Sequence, residues 1–171
     1  MTFSTIHVQN HKKLEPKEFI KELSAYMKTK GLLPVTEEKA QYSYSFSFTE
    51  NNSWLTLTEP TYEPGEETAI KTAQELAKAL ETNCILTGVI DSDMVILDLF
   101  DESGSKIDMA VLGSPDYGFE ETIMGSRELW EPLLTPEHTW EQLLEAWNAD
   151  KTFAEDILYR TETLLGIDYD S

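Results

Sequence analysis

Three apolar runs, Cys84–Ile90, Met94–Phe100 and Lys106–Leu112, follow one another with only short polar stretches between them. A parallel crossover needs a dozen or more residues, and neither connection is near that length. The three strands must therefore form an antiparallel meander. No other stretch restricts the fold so strongly, because it sets the order and the direction of the strands together. Glu102-Ser103-Gly104 fits a three-residue hairpin loop whose last position is left-handed, which glycine supplies. That loop pairs Leu99 with Ile107, Leu97 with Met109 and Val95 with Val111, a continuous aliphatic face expected to lie against a helix over 66–81. The same register sets Asp98 opposite Asp108 on the other face, where like charges repel unless wet or shared with a cation. That face reads either as a solvated outer surface or as a negative cleft or cation site that receives a lysine or arginine.

The rest of the chain supplies helices and one more hairpin. Pro16 suits a first helical position, since its missing N–H would be unpaired there anyway. Phe19, Ile20, Leu23, Tyr26 and Met27 then share one face, and Gly31 and Pro34 end the helix. Tyr42-Ser43-Tyr44-Ser45-Phe46-Ser47-Phe48 alternates without exception, a strand with one aromatic and one serine face. Asn51 and Asn52 turn the chain, and Trp54 to Thr58 returns as its partner. A helix over about 66–81 buries Ile70, Ala73, Leu76, Ala77 and Leu80. Residues 113–125 read as a loop. Leu129, Trp130, Leu133 and Leu134 mark a short helical turn. Thr139-Trp140-Glu141-Gln142 and Thr152-Phe153-Ala154-Glu155 read as capping boxes that open two C-terminal helices, the second burying Phe153, Ile157, Leu164 and Leu165 and stopping at Gly166. Strands and helices are segregated along the chain, which predicts an α+β fold. The expected layout is a single domain over 1–171. Its antiparallel sheet has about five strands, the hairpin 42–58 and the meander 84–112. Helices pack on one face and the C-terminal helices at an end.

Charge is the strongest global signal. The formal net charge is −19 over 171 residues. Residues 1–40 hold seven lysines against five glutamates, so the remaining chain carries −21. Such a field repels nucleic acid and anionic membranes, and it speeds encounters with basic proteins. It also serves solubility. A chain with 40% hydrophobic residues can nevertheless build a core without a disulfide or metal staple. The single cysteine, Cys84, excludes an internal disulfide and any multi-thiolate metal site. The first residues do not read as a signal peptide, and no stretch approaches the roughly 18 apolar residues of a membrane helix. The expected location is the cytoplasm, with leaderless secretion left open.

Catalytic signatures are missing from the pattern. There is no nucleophile elbow, phosphate loop, dinucleotide fingerprint or zinc spacing. Asp91-Ser92-Asp93 has the form of a metal-holding DxD, but between two strands it reads as a tight polar turn. His7 and His11 stand four apart before the first helix and read as a solvated loop. His138 reads as exposed, and Cys84 as an inert core thiol. Tyr42, Tyr44, Phe46 and Phe48 with Trp54 read as core, with a ligand groove as the other reading.

Val89-Ile90-Asp91-Ser92-Asp93-Met94-Val95-Ile96-Leu97-Asp98-Leu99 and the closing Phe153-Ala154-Glu155-Asp156-Ile157-Leu158 to Leu164-Leu165-Gly166-Ile167 resemble segments of uncharacterised bacterial proteins, mostly from Gram-positive genomes. Small acidic proteins of that style often accompany polymorphic toxins as immunity proteins. The resemblance implies a binding role and carries no catalytic residue. The expected function is therefore an acidic interaction protein, monomer or weak dimer, that masks a basic protein partner without a cofactor. The predicted contacts are Asp98, Asp108, Asp116, Glu120 and Glu121. The alternatives are a divalent-metal enzyme built on Asp91, Asp93, Asp98 and Asp108, or a small-ligand module.

Overall fold

The computed structural model describes residues 1–49, 53–59, 61–116, 118–150 and 153–167. Six antiparallel strands form one sheet: β1 (Phe3–Gln9), β2 (Ser45–Phe48), β3 (Trp54–Thr58), β4 (Cys84–Ile90), β5 (Met94–Phe100) and β6 (Lys106–Gly113). Their order across the sheet is β2-β3-β1-β4-β5-β6. The helices are α1 (Pro16–Thr29), α2 (Glu67–Ala79), the short α3 (Arg127–Trp130), α4 (Trp140–Asn148) and α5 (Glu155–Leu165). The α+β class holds, and the meander falls where the strand pattern puts it. Among the described residues no helix is long and apolar enough to cross a membrane.

The additional strand is β1, and it lies in the middle of the sheet. It pairs with β3 through Ile6↔Leu57 and Val8↔Leu55, and with β4 through Ile6↔Leu86 and Val8↔Cys84. His7 therefore does not sit in a solvated loop. It is fully buried, with Nδ1 2.8 Å from Thr56 Oγ1 and Nε2 3.3 Å from Glu162 Oε1 on α5. Beside it Thr5 Oγ1 meets Thr87 Oγ1 at 2.5 Å. These polar groups are tolerated inside the protein because they find one another there.

Helices cover both faces of the sheet. Ile6, Val8, Leu55, Leu57, Leu86 and Phe100 pack with α1 and α2, where Phe19, Leu23, Ala73 and Leu76 are buried. The opposite residues of the same strands, including Trp54, Ile85, Val89, Val95, Leu97 and Leu99, pack with Trp130, Leu143, Trp147, Ile157 and Leu165 of the C-terminal helices. The face of Val95, Leu97 and Leu99 thus meets the C-terminal helices and not α2. The alternation along each strand divides one sheet between two half-cores.

Local signals place the helix ends. Pro16 opens α1, and Gly31 follows it at φ 76°. Thr139 and Gln142 cap α4 reciprocally, with Gln142 N–H donating to Thr139 Oγ1 and Thr139 N–H to Gln142 Oε1. Gly166 ends α5 at φ 77°. The expected turn at Asn51-Asn52 and the Thr152 half of the second capping box lie outside the described residues. Ile20, predicted to be inward, is 49% exposed, and Phe153 is 56% exposed.

The hairpin between β5 and β6 departs from the expected register. Its tip follows the prediction: Gly104 sits at φ 80°, and Phe100 pairs with Lys106. Asp101 Oδ1 closes the loop by accepting from the N–H groups of Ser103 and Ser105. The next pair is Leu99↔Asp108, so Ile107 is an extra residue. Beyond this bulge every partner shifts by one: Leu97 pairs with Ala110 and Asp98 with Met109. A one-residue slip sends each side chain to the other face. Asp98 and Asp108 therefore lie on opposite faces of the sheet.

Candidate functional site

The two aspartates once expected to oppose each other have separate partners within the chain. Asp98 is 7% exposed and forms an ion pair with Lys106 Nζ at 2.8 Å. The cation that this carboxylate needs thus comes from the neighbouring strand. Asp108 Oδ2 accepts from Ser126 N–H at 2.7 Å and from Trp130 Nε1 at 2.8 Å. It pins the loop after β6 and orients a fully buried tryptophan. A Cβ on Gly125 would collide with that indole, so the loop must come close there.

Asp91-Ser92-Asp93 is the tight turn between β4 and β5, with Asp91 at φ 51° and Ser92 at φ 60°. Two successive left-handed residues suit the twist of a two-strand hairpin. The turn is held from three sides. Asp91 N–H donates to Thr2 Oγ1 at 3.0 Å, and Ser92 N–H to Met1 O at 2.9 Å. Ser92 O accepts from Ala154 N–H at 2.8 Å, and Ser92 Oγ donates to Glu155 Oε1 at 2.6 Å. Asp93 O accepts from Ser114 N–H at 2.8 Å, at a point where Gly113 has φ 85° and a Cβ would strike that carbonyl.

This fixed turn forms one wall of a cleft of about 300 Å³. The loop after β6 and the connection between α4 and α5 form the others. Asp93, Asp150, Phe153, Met124 and Ser114 line it, with Trp147 below. Phe153 and Met124 are among the large apolar side chains left exposed, at 56% and 38%. Glu120 and Glu121 directly precede the lining residue Thr122, and both are exposed, as is Asp116 earlier in the same loop. Among the described residues, Asp93, Glu120, Glu121 and Asp150 take part in no ion pair. The cleft is mostly polar, and it sets exposed Phe153 and Met124 beside the uncompensated Asp93 and Asp150. That combination suits the alkyl stem and charged head of a lysine or arginine.

Three of the five predicted contacts, Asp116, Glu120 and Glu121, belong to one loop on this cleft. Asp98 and Asp108 do not belong to it. Asp150 and Phe153 escaped the sequence reading. Asp150 follows a helix with no motif around it, and Phe153 reads as the first core position of α5. The four aspartates considered for a metal enzyme are not brought together: Asp91 and Asp93 occupy the turn, and Asp98 and Asp108 opposite sheet faces. Among the described residues no group of three or more histidine, cysteine, aspartate or glutamate side chains is gathered as a metal site. Cys84 is fully buried, and burial pushes its thiol far above the ordinary range, in keeping with an inert core position.

Against protein-family models, curated proteins and solved structures, the chain has no match.

Proposed function

We propose that the chain is an acidic interaction protein of the bacterial cytoplasm that masks a basic protein partner in the manner of an immunity-type inhibitor. The observation that carries this reading is the cleft beside the 91–93 turn, where Asp93 and Asp150, in no ion pair among the described residues, share the lining with exposed Phe153 and Met124. The net charge of −19 draws a cationic partner in. The cleft gives one of its basic side chains a place to dock. Asp116, Glu120 and Glu121 act at the rim, with Asp93 and Asp150 inside. Asp98 and Asp108 are engaged within the fold and act on binding only through it.

The test separates a local site from a diffuse field. Glu120→Gln, Glu121→Gln and Asp150→Asn together remove three charges at the cleft. Glu63→Gln, Glu67→Gln and Glu102→Gln remove three exposed charges away from it. Affinity for an arginine-rich peptide is measured for both triple variants by titration calorimetry. The cleft variant should bind at least tenfold more weakly, a loss of about 1.4 kcal/mol, and the distant variant should lose far less. Equal losses would return the acidity to a solubility role.

A further inference from the structure

A second surface has the opposite character. Of the nine large hydrophobic residues that stand exposed among the described residues, five lie together: Ile20, Leu33, Val35, Tyr42 and Phe46. They line a groove of about 600 Å³ between α1, the segment after it and β2. Apolar patches concentrated in this way mark association surfaces.

The groove borders an open sheet edge. At the other end of the sheet β6 is bridged at one point, where Val111 exchanges both backbone hydrogen bonds with Ile123 at 2.8 and 2.9 Å. Among the described residues β2 has only β3 beside it. Its four residues, Ser45-Phe46-Ser47-Phe48, include no charge and no proline, the usual devices that keep edges apart. Aromatic Phe46 stands at the groove, while Ser45 and Ser47 are exposed.

Charge points to the occupant. Two copies of a chain at −19 repel each other over most of their surface. Most of the lining residues of the groove come from residues 1–40, a stretch with a positive balance. Lys39 is its charged lining residue. Lys17, Lys21 and Lys28 are exposed on α1, just round the helix from Ile20, Ser24 and Met27. Glu37 and Glu38, which directly precede Lys39, are exposed. A two-fold axis can therefore bring the lysines of one copy to the glutamates of the other, as an isologous interface requires.

We infer that the groove and the open edge of β2 form a two-fold interface with a second copy of the chain. Two antiparallel β2 strands join the sheets end to end. The acidic clefts, beside β5 and β6, are left at the far ends. The pairing strand is short, and the fifteen lining residues fall below the roughly 20–30 per side of a standard interface. The dimer is thus a weak one.

Sedimentation velocity on the full chain tests this between about 10 and 300 µM, at low and high salt, where the Debye length falls from roughly 14 to roughly 4 Å. The average mass should climb toward that of two chains, and at lower concentration in high salt, because screening removes the repulsion. The amides of Ser45–Phe48 should gain hydrogen-exchange protection as concentration rises. Leu33→Lys, at a 71% exposed position where folding is undisturbed, and Phe46→Lys should each move dimerisation more than tenfold upward in concentration. A single-chain mass under all conditions would overturn the inference. So would a dimer that neither variant weakens.

Discussion

Asp98, Asp108 and His7 show how this fold accommodates polar groups beneath its helices. Each occupies a strand, and each has a specific partner: Lys106 for Asp98, Ser126 and Trp130 for Asp108, Thr56 and Glu162 for His7. The bond from Trp130 to Asp108 is structural and makes a clear prediction. Asp108→Ala leaves a backbone N–H and a buried indole N–H without an acceptor and should destabilise by about 1–3 kcal/mol in urea unfolding. Asp108→Asn keeps an acceptor oxygen and should cost less than half of that. If the two variants were equally stable, the hydrogen bonds would not be what the carboxylate supplies. A lone aspartate in an apolar strand was a visible sign that something must compensate it. Which residue does so was not visible, because the partners lie at other points of the chain and come together only in the folded sheet.

At the scale of elements, the meander and both long N-terminal helices could be read directly, since turn residues and apolar periods agree there. β1 could not. In Phe3-Ser4-Thr5-Ile6-His7-Val8-Gln9 one face is mostly polar, yet it is buried, so the usual contrast between apolar and polar positions is missing. The bulge at Ile107 was equally hidden. The hairpin tip follows from Gly104, but an extra residue one step later changes no turn signal and reverses the faces of all that follows. The acidic cleft was half legible. The loop carrying Asp116, Glu120 and Glu121 stood out as charged and irregular, whereas its opposite wall comes from the α4–α5 connection and only tertiary packing adds it. The bulge can be tested by deletion. Without Ile107 a straight ladder from Phe100 and Lys106 keeps every pair beyond it, Leu99 with Asp108 and Leu97 with Ala110, so Ala110 and Leu112 stay against the C-terminal helices. The deletion variant should still unfold in one cooperative thermal transition, at a lower temperature because the packing of Ile107 is lost. A variant that lost its cooperative transition would show that Ile107 does more than take up the shift in register.

For the molecule as a whole, one sheet is shared by two half-cores, and the one under α1 and α2 contains ionisable groups that burial holds neutral. In the half-core under α1 and α2, burial raises the Cys84 thiol and the Tyr26 hydroxyl well above their ordinary values, with Glu75 adding to the effect on Tyr26. Groups raised in the folded state lend stability that is complete below the unfolded pKa and lost as pH rises through the folded one. The urea midpoint should therefore stay level through neutral pH and fall above pH 9, where the thiol ionises in the unfolded chain. Each such group contributes up to about 1.4 kcal/mol per pH unit, and Cys84→Ala should flatten the first part of the decline. The division of the core has a further consequence, an optical one. Trp54, Trp130, Trp140 and Trp147 all belong to the half-core under the C-terminal helices. Trp147 meets Trp130 and Trp140 edge to face at 5.5 and 5.8 Å. The half-core under α1 and α2 contains no tryptophan, only tyrosines such as Tyr26 and Tyr62. Indole emission therefore watches one side of the sheet, and the tyrosine signal reports largely on the other. If the two layers loosen at different temperatures, the two emission bands will record two transitions in a single unlabelled sample.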